Sequence, residues 1–212
     1  MTCPFNNGGK MAIDVIEVQK LYVAYFGRPA DPDGIEHWTD ALNASAITLA
    51  DVSDSFAASQ EYRDTYAGLD NRAIVTEVYE NLFGRAADQT GLNYWADLMD
   101  RGIISIDDVV RDVSEAAVGT DRTAFNGKVA AASMFTLRLD EPEEVAAYRG
   151  ETAKEISMQF LAAVKDLESA ADALKPDVVD AWIERIVDAH GASAEGIALV
   201  GVAPAAEPLP GA

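Results

Sequence analysis

The sequence contains an internal repeat. Equivalent residues of the two copies are always separated by the same distance along the chain, as Gly27 is from Gly84. The motif Tyr-x3-Phe-Gly-Arg-x-Ala-Asp-x2-Gly-x3-Trp occupies residues 22–38 and again residues 79–95. When residues 18–52 are aligned with residues 75–109 without a gap, 13 of the 35 positions are identical, and most identities are aromatic, glycine or aspartate residues. Recurrence at one period is typical of a structural unit that packs against its own copy. We therefore predict two tandem modules, and we call the two segments the repeated motif.

The spacing of apolar residues predicts helices in both modules. Before Gly27, apolar residues recur every three or four positions, as on one face of an amphipathic helix, at Val15, Val18, Leu21, Tyr22 and Tyr25. A short loop then leads to a second helix that carries Ile35, Trp38 and Leu42. Further helices are predicted over residues 47–56, 60–66, 74–83, 92–99 and 106–118. No alternating strand pattern is found before Gly191, so the predicted fold class is all-α.

The sequence after the repeats changes character. Alanine-rich stretches at 122–139 and 142–174 predict helices, the second being one long helix or two joined near Gly150, and a last helix is predicted from Pro176 to Ala189. We expect a disordered leader at 1–11, helical modules at 12–67 and 68–118, a helical C-terminal region at 119–190, and a flexible tail at 191–212. The alanine-rich face of residues 142–174 is the predicted surface for self-association.

The charge of the chain excludes several classes of partner. Sixteen Lys and Arg residues against 36 Asp and Glu residues give a formal net charge of -20, which repels nucleic acid phosphates and anionic bilayers. We expect no nucleic acid partner and no membrane insertion. Cys3 is the one cysteine, so the chain can form neither an internal disulfide nor a cysteine-based zinc cluster.

Aspartates of the repeated motif are candidate calcium ligands. Asp31 and Asp33 stand two positions apart before Gly34, as in the first half of an EF-hand loop, and Asp88 is the counterpart of Asp31. The bidentate acid that completes such a loop is absent, and helix capping by Asp31 and Asp88 explains the same residues. Calcium is therefore the one cofactor that the sequence suggests, and only as a weakly bound ion.

Arg28, Arg85 and His37 are candidate ligand-binding residues. A guanidinium offers a planar fork of donors to an anionic sugar or phosphate, although an internal partner such as Asp31, Asp88 or a helix-end carbonyl would explain both arginines. His37 has no second histidine nearby that could complete a metal site or catalytic pair. The helical spacing of the motif's aromatic residues predicts core rather than a sugar-stacking platform, for Tyr22, Phe26, Trp38, Tyr79, Phe83 and Trp95.

The sequence carries none of the motifs of common enzyme classes. It contains no Gly-x-Ser-x-Gly elbow, phosphate-binding loop, dinucleotide glycine fingerprint or His-Glu-x-x-His helix. Its many carboxylates are distributed as on solvated helix faces, and no pair stands out. The expectation is a protein that is not an enzyme.

The repeated motif resembles the DUF4214 family, whose small helical modules occur mainly in bacterial secreted and cell-surface proteins. The resemblance covers residues 12–115 and extends, more distantly, to the N-terminal region of proteobacterial S-layer proteins, which attaches the lattice to lipopolysaccharide. Phycobilisome linkers share a comparable Gly-Arg-x-x-Asp phrase but are typically basic, so this chain departs from them in charge.

The tail resembles the uncleaved C-terminal signals of type I secretion substrates. It is rich in small residues, lacks bases and contains the short apolar patch 197–202. The leader lacks the apolar region of a Sec signal peptide, and no apolar run suggests a membrane anchor. The Gly-Gly-x-Gly-x-Asp calcium repeats that usually accompany type I signals are missing.

These observations favour a non-enzymatic, secreted or cell-surface bacterial protein, exported without a Sec signal through the type I secretion machinery. The expected activity is self-association or the binding of envelope polysaccharide or lipopolysaccharide, assisted by calcium. The alternative is an intracellular scaffold or linker that joins subunits of a larger complex.

Overall fold

The computed structural model describes the backbone of residues 10–199 and the side chains of residues 15–192, and this part of the chain is all-α, as predicted. Twelve helices follow one another without a strand in these ranges. They are α1 (Lys10–Phe26), α2 (Pro32–Asn43), α3 (Leu49–Ala57), α4 (Gln60–Tyr66), α5 (Asn71–Phe83), α6 (Gln89–Asp100), α7 (Ile106–Ala116), α8 (Gly119–Arg138), α9 (Pro142–Ala147), α10 (Gly150–Ala162), α11 (Leu167–Ala173) and α12 (Pro176–Leu199).

The repeat in sequence is also a repeat in structure. Helix α6 begins and ends at the counterparts of the first and last residues of α2, α1 and α5 end at equivalent phenylalanines, and α3 and α7 begin at equivalent positions. The starts of α3 and α7 use equivalent pairs, because Asp51 accepts the backbone N–H of Thr48 at 2.8 Å and Asp108 accepts that of Ser105 at 3.1 Å. Such reciprocal caps satisfy backbone donors that a helix start leaves open.

Helices α1, α5 and α8 contact one another at the centre of the molecule. Helix α2 packs on α1 and α6 packs on α5. Helices α3 and α7 contact each other, α3 also contacts α1, and α7 contacts both α1 and α5. The C-terminal helices α9 to α12 pack around α8 and against each other. Large side chains fill the interior, among them Tyr25, Leu82, Phe125, Phe135 and Phe160, and burying each stabilises the fold by roughly 1.5–3 kcal/mol.

Residues 142–174 form three helices, where the sequence predicted one or two. The first break lies at Gly150, whose φ of +79° suits glycine. The second break precedes α11, where the Asp166 carboxylate accepts the backbone N–H of Ser169 at 2.8 Å and the Ser169 hydroxyl oxygen accepts that of Asp166 at 3.0 Å. This reciprocal cap was readable in the sequence as a helix start.

Four of the eight alanines in residues 142–174 are used inside the molecule. Ala147, Ala153, Ala170 and Ala173 are all buried. Helices α8 and α11 approach so closely that a β-carbon added to Gly127 would lie 2.8 Å from the Ala170 β-carbon. The prediction that the alanine-rich face mediates self-association is therefore wrong for these four alanines, because helices of the same chain already cover them.

The ends of the described chain differ from the predicted domain limits. Helix α1 begins at Lys10, before the expected start of the first module at residue 12. Helix α12 runs on to Leu199, so that residues 191–199 are helical where a flexible tail was expected from residue 191. Alanine-rich sequence continues a helix through single glycines at modest cost. The rest of the predicted leader and tail lies outside the described residues. No helix in the described part of the chain is long and apolar enough to cross a membrane.

Several ionisable groups are buried in this core. Burial raises the pKa of Tyr22 and of Tyr25 to about 12, and it also raises the pKa values of Tyr62, Tyr66 and Tyr148. Lys128 of α8 is fully buried and donates to the carbonyl oxygens of Glu80 at 2.9 Å and Asn81 at 2.8 Å, at the end of α5. Its burial lowers the pKa of the Lys128 ammonium to about 8.

We expect stability to rise with pH from about 8 and to fall above about 10. Between pH 8 and the unfolded lysine pKa near 10.5, the unfolded chain binds the Lys128 proton more tightly than the folded chain, so raising the pH favours folding. Between pH 10 and 12 the unfolded tyrosines release protons that the folded ones retain, so folding is disfavoured. Urea unfolding across this range measures the profile. The Lys128→Met variant should lose the rise and keep the fall, and a wild-type profile that declines steadily from pH 8 contradicts the assignment.

Candidate functional site

The repeated motif builds the same turn in both modules. Gly27 and Gly84 follow the last residues of α1 and α5 with φ angles of +62° and +66°, a left-handed conformation that glycine adopts without strain. The Gly27 and Gly84 N–H groups donate to the carbonyl oxygens four positions earlier, at 3.0 and 2.9 Å. Each glycine therefore ends its helix and redirects the chain into the loop that follows.

The motif arginines hold the turn through internal carboxylates. Arg28 donates through Nε and Nη2 to Glu61 at 2.7 and 2.8 Å, and Arg85 donates through the same atoms to Asp121 at 2.8 and 2.6 Å. Both acids lie in the first turn of the helix that follows the module's third helix, α4 or α8. The sequence predicted internal partners but not these, because both acids are far along the chain from their arginines and only tertiary packing brings them close.

In each module, the motif aspartate, the glycine three positions after it and the motif tyrosine lie together at the start of the second helix. Asp31 accepts the N–H of Gly34 at 2.7 Å, and Asp88 accepts that of Gly91 at 2.9 Å, so both aspartates cap helices as the alternative interpretation expected. A β-carbon on Gly34 would lie 2.3 Å from the Tyr22 hydroxyl. Glycine is required there because the tyrosine hydroxyl closes onto the helix start.

The structure does not bring the candidate calcium ligands together. Asp31 and Asp88 are engaged as caps, while Asp33 is exposed and has Arg149 at 3.7 Å. Among the residues whose side chains are described, no group of three or more His, Cys, Asp or Glu residues could hold a metal ion. Calcium assistance therefore remains a prediction without a described ligand set.

The motif aromatic residues lie in or against the core. Tyr22, Phe26 and Phe83 are buried, and Trp38 packs edge to face on Phe56 at 5.6 Å between ring centroids. Exposed rings stand beside both motif tryptophans: His37 is 4.8 Å from Trp38, and Tyr94, 57% exposed, is 5.0 Å from Trp95. His37 contacts the Trp38 ring, and its role in ligand binding stays a prediction.

A cleft of about 330 Å³ lies where the two modules meet, and we call it the intermodule cleft. Helices α1, α3, α7 and α8 line it. Equivalent positions of the third helices face it from both modules, since Ser53 and Asp54 of α3 correspond to Val110 and Arg111 of α7. The duplication thus creates the cleft. Because the two copies have diverged, the α3 side and the α7 side of the cleft carry different side chains.

The cleft is lined by apolar residues and by charged residues of both signs. Its apolar residues are Leu21, Ala24, Leu49, Ala50, Val110 and Phe125, and its charged residues are Glu17, Lys20, Asp54, Arg111, Glu115 and Arg122. Three acids and three bases make the lining formally neutral in a chain whose net charge is -20. Pockets that bind small molecules combine apolar contact surface with polar groups that fix orientation, and this cleft carries more charged residues than such pockets commonly do.

Three of the six charged groups in the cleft form ion pairs. Lys20 binds Glu17 at 2.7 Å, and Arg111 binds Asp108 at 2.6 Å and Asp112 at 3.2 Å. Arg122 instead donates through Nε to the Ala117 carbonyl oxygen at 3.0 Å and through Nη2 to that of Glu115 at 2.8 Å. These carbonyls fix the guanidinium at the end of α7.

Sequence reasoning missed the cleft residues because none of the charged ones belongs to the repeated motif. They lie in α1, α3, α7 and α8, spread along the chain from Glu17 to Arg122, and only the packing of the two modules unites them. The sequence did contain one signal for the cleft, which is the constant offset between the two copies. Two similar modules that pack together can bring equivalent faces of α3 and α7 towards each other.

Comparison with known proteins finds one family. The model of the domain of unknown function DUF4214 matches residues 17–66 and 53–117. The two matches share residues 53–66, which contain the second half of α3 and all of α4. No curated protein and no solved structure matches the chain.

We expect Arg28→Ala to destabilise the fold more than Arg85→Ala. The two arginines make equivalent bidentate pairs, but the Arg28 side chain is 13% exposed and that of Arg85 is 43% exposed. The acids left behind are about equally exposed, at 26% for Glu61 and 22% for Asp121, so the difference comes from the arginine. Removing the largely buried Arg28 should cost about 3 kcal/mol, whereas a pair with a more exposed arginine contributes about 1 kcal/mol or less. Urea unfolding measures the loss of stability in both variants. Arg28→Lys is a further variant that keeps the positive charge and removes the bidentate hydrogen bonding to Glu61. Equal losses in the two modules would show that burial does not set the strength of the pair.

Proposed function

Residues 17–117 belong to the DUF4214 family, and on this basis we propose that the protein is a non-enzymatic, secreted protein of the bacterial surface or matrix that binds envelope polysaccharide in its intermodule cleft. The observation that carries the proposal is the cleft itself. It offers about 330 Å³ of space, an apolar lining and polar groups of both signs, within a chain whose strong negative charge disfavours nucleic acids and anionic membranes.

The use of the repeated motif supports a binding role rather than a chemical one. Its arginines, aspartates, glycines and buried aromatic rings all serve the turn and the core. The duplicated sequence therefore produces a rigid shape, and the residues available to a ligand are those that differ between the modules. A family with this design can change its ligand through cleft residues and keep its fold.

Self-assembly remains the second mode of action within this proposal. Four alanines of residues 142–174 are covered by the chain's own helices, whereas Ala146, Ala162, Ala163 and Ala171 are exposed. An assembly contact through this segment would have to use the exposed alanines.

Filling the cleft should abolish glycan binding without unfolding the protein. Ala50 is exposed on α3 and lines the cleft, so Ala50→Trp places a large ring in the space that a sugar would occupy. Ala181, exposed on α12 outside the cleft, gives the matched control Ala181→Trp. On a glycan array with and without calcium, wild type and Ala181→Trp should bind the same glycans and Ala50→Trp none. An absence of binding by wild type in both conditions would leave self-assembly, which light scattering across a calcium titration would show as growth in mass.

Export should depend on residues 200–212. Their deletion leaves the whole of α12 in place, so that a loss of export cannot be ascribed to a shortened helix. In the native host, we expect the full chain in the medium or on the cell surface and the shortened chain inside the cell, measured by fractionation and immunoblotting. Retention of the full chain in the cytoplasm would instead support an intracellular linker protein.

A further inference from the structure

Three charged groups in the intermodule cleft have no ionic partner in the described chain. Asp54 and Glu115 make no salt bridge and accept no side-chain hydrogen bond there, and Arg122 contacts only backbone carbonyls. Asp54 and Glu115 are exposed, and Arg122 is half-buried. These three groups are the polar atoms that a ligand in the cleft would meet.

The orientation of Arg122 leaves donors available. A guanidinium carries five N–H groups, of which Nε and one on Nη2 are used by the carbonyls at the end of α7. The contacts of the described residues include no partner for Nη1. Because the two carbonyls already hold the side chain in place, a ligand that accepts from Nη1 does not have to order it first.

The unpaired groups select the charge of the ligand. Two carboxylates and one guanidinium leave a formal charge of -1, and the whole chain adds a field of the same sign. A ligand carboxylate, sulfate or phosphate would meet repulsion from Asp54 and Glu115. A sugar hydroxyl suits the site, because it donates to a carboxylate and accepts from a guanidinium at the same time. The apolar part of the lining, including Leu49 at 38% exposure, can cover the C–H face of the ring.

We propose that the intermodule cleft is a subsite for neutral sugar residues, in which Asp54 accepts hydrogen bonds from ring hydroxyls and Arg122 donates to a ring or hydroxyl oxygen. This inference rests on the proposed binding of envelope polysaccharide and specifies its chemical class. Uncharged chain segments of the polysaccharide are the ligand, and phosphorylated or carboxylated segments are rejected.

The test is an array in which each neutral glycan is printed beside an anionic counterpart of the same backbone, such as a methyl-esterified uronan beside the free acid. It is run at about 0.15 M salt, where the Debye length is about 8 Å, so that discrimination reports the cleft rather than distant acids. Wild type should bind neutral glycans at least tenfold more tightly than their anionic counterparts, confirmed by calorimetry on the strongest pair.

Variants separate the roles of the two residues. Asp54→Asn and Arg122→Gln should each weaken binding of the neutral glycan by about tenfold, the effect of losing a charge-assisted hydrogen bond. Asp54→Asn should also reduce the discrimination against the anionic glycan, since the repelling charge is gone. Asp40→Asn, an exposed aspartate of α2 outside the cleft, changes the net charge equally and should leave both affinities unchanged.

Each outcome decides a different statement. Equal binding of neutral and anionic glycans overturns the inference and leaves the proposed function standing. Neutral binding that is lost in Ala50→Trp but unaffected by Asp54→Asn and Arg122→Gln overturns the assigned residues. Binding of no glycan by wild type overturns polysaccharide binding and the inference with it. If Arg122→Gln lowers the melting temperature, Arg122→Lys replaces it as the test of Arg122. The comparison of Asp54→Asn with Asp40→Asn still shows whether Asp54 binds the neutral glycan.

Discussion

The left-handed turn after the first helix of each module is the constraint on which the rest of the structure depends. Gly27 and Gly84 allow the chain to reverse directly beyond a helix that ends in a buried phenylalanine. The arginine that follows each glycine then binds an acid in the first turn of a later helix, and this contact fixes the position of that helix against the turn. Without the reversal, neither the helical hairpin nor the ion pair could form.

The two modules contain the same arginine–acid ion pair, but the pair is more buried in the first module than in the second. The Arg28–Glu61 pair is largely buried because the C-terminal region covers the first turn, where the Tyr148 hydroxyl donates to the Pro29 carbonyl oxygen at 2.7 Å. The Arg85–Asp121 pair stays more exposed, and its acid lies on α8 itself. The fourth helix of the second module is thus merged into the long central helix. That merger connects the repeats to the C-terminal helices and gives the molecule one continuous core.

Duplication and divergence have separate consequences for function. Positions that serve the turn remain alike in both copies, because each makes a contact that few other residues could make. Positions on the third helices have diverged, and there an aspartate on one side of the cleft corresponds to an arginine on the other. The proposed sugar site is therefore a product of asymmetry between copies. Its polar groups include both signs, so that a hydroxyl group can donate to a carboxylate and accept from the guanidinium.

The sequence by itself determined the all-α class, the internal repeat and the ends of α1 and α5 at Phe26 and Phe83, because periodicity and glycine act within a few positions of one another. It also indicated that Asp31 and Asp88 could cap helices, since that contact is made within a single helical turn. Tertiary structure alone decided the partners of Arg28 and Arg85, which alanines of residues 142–174 are buried, and the existence of the cleft. These depend on which helices meet, and contacts between residues distant in the chain leave no local pattern in a single sequence.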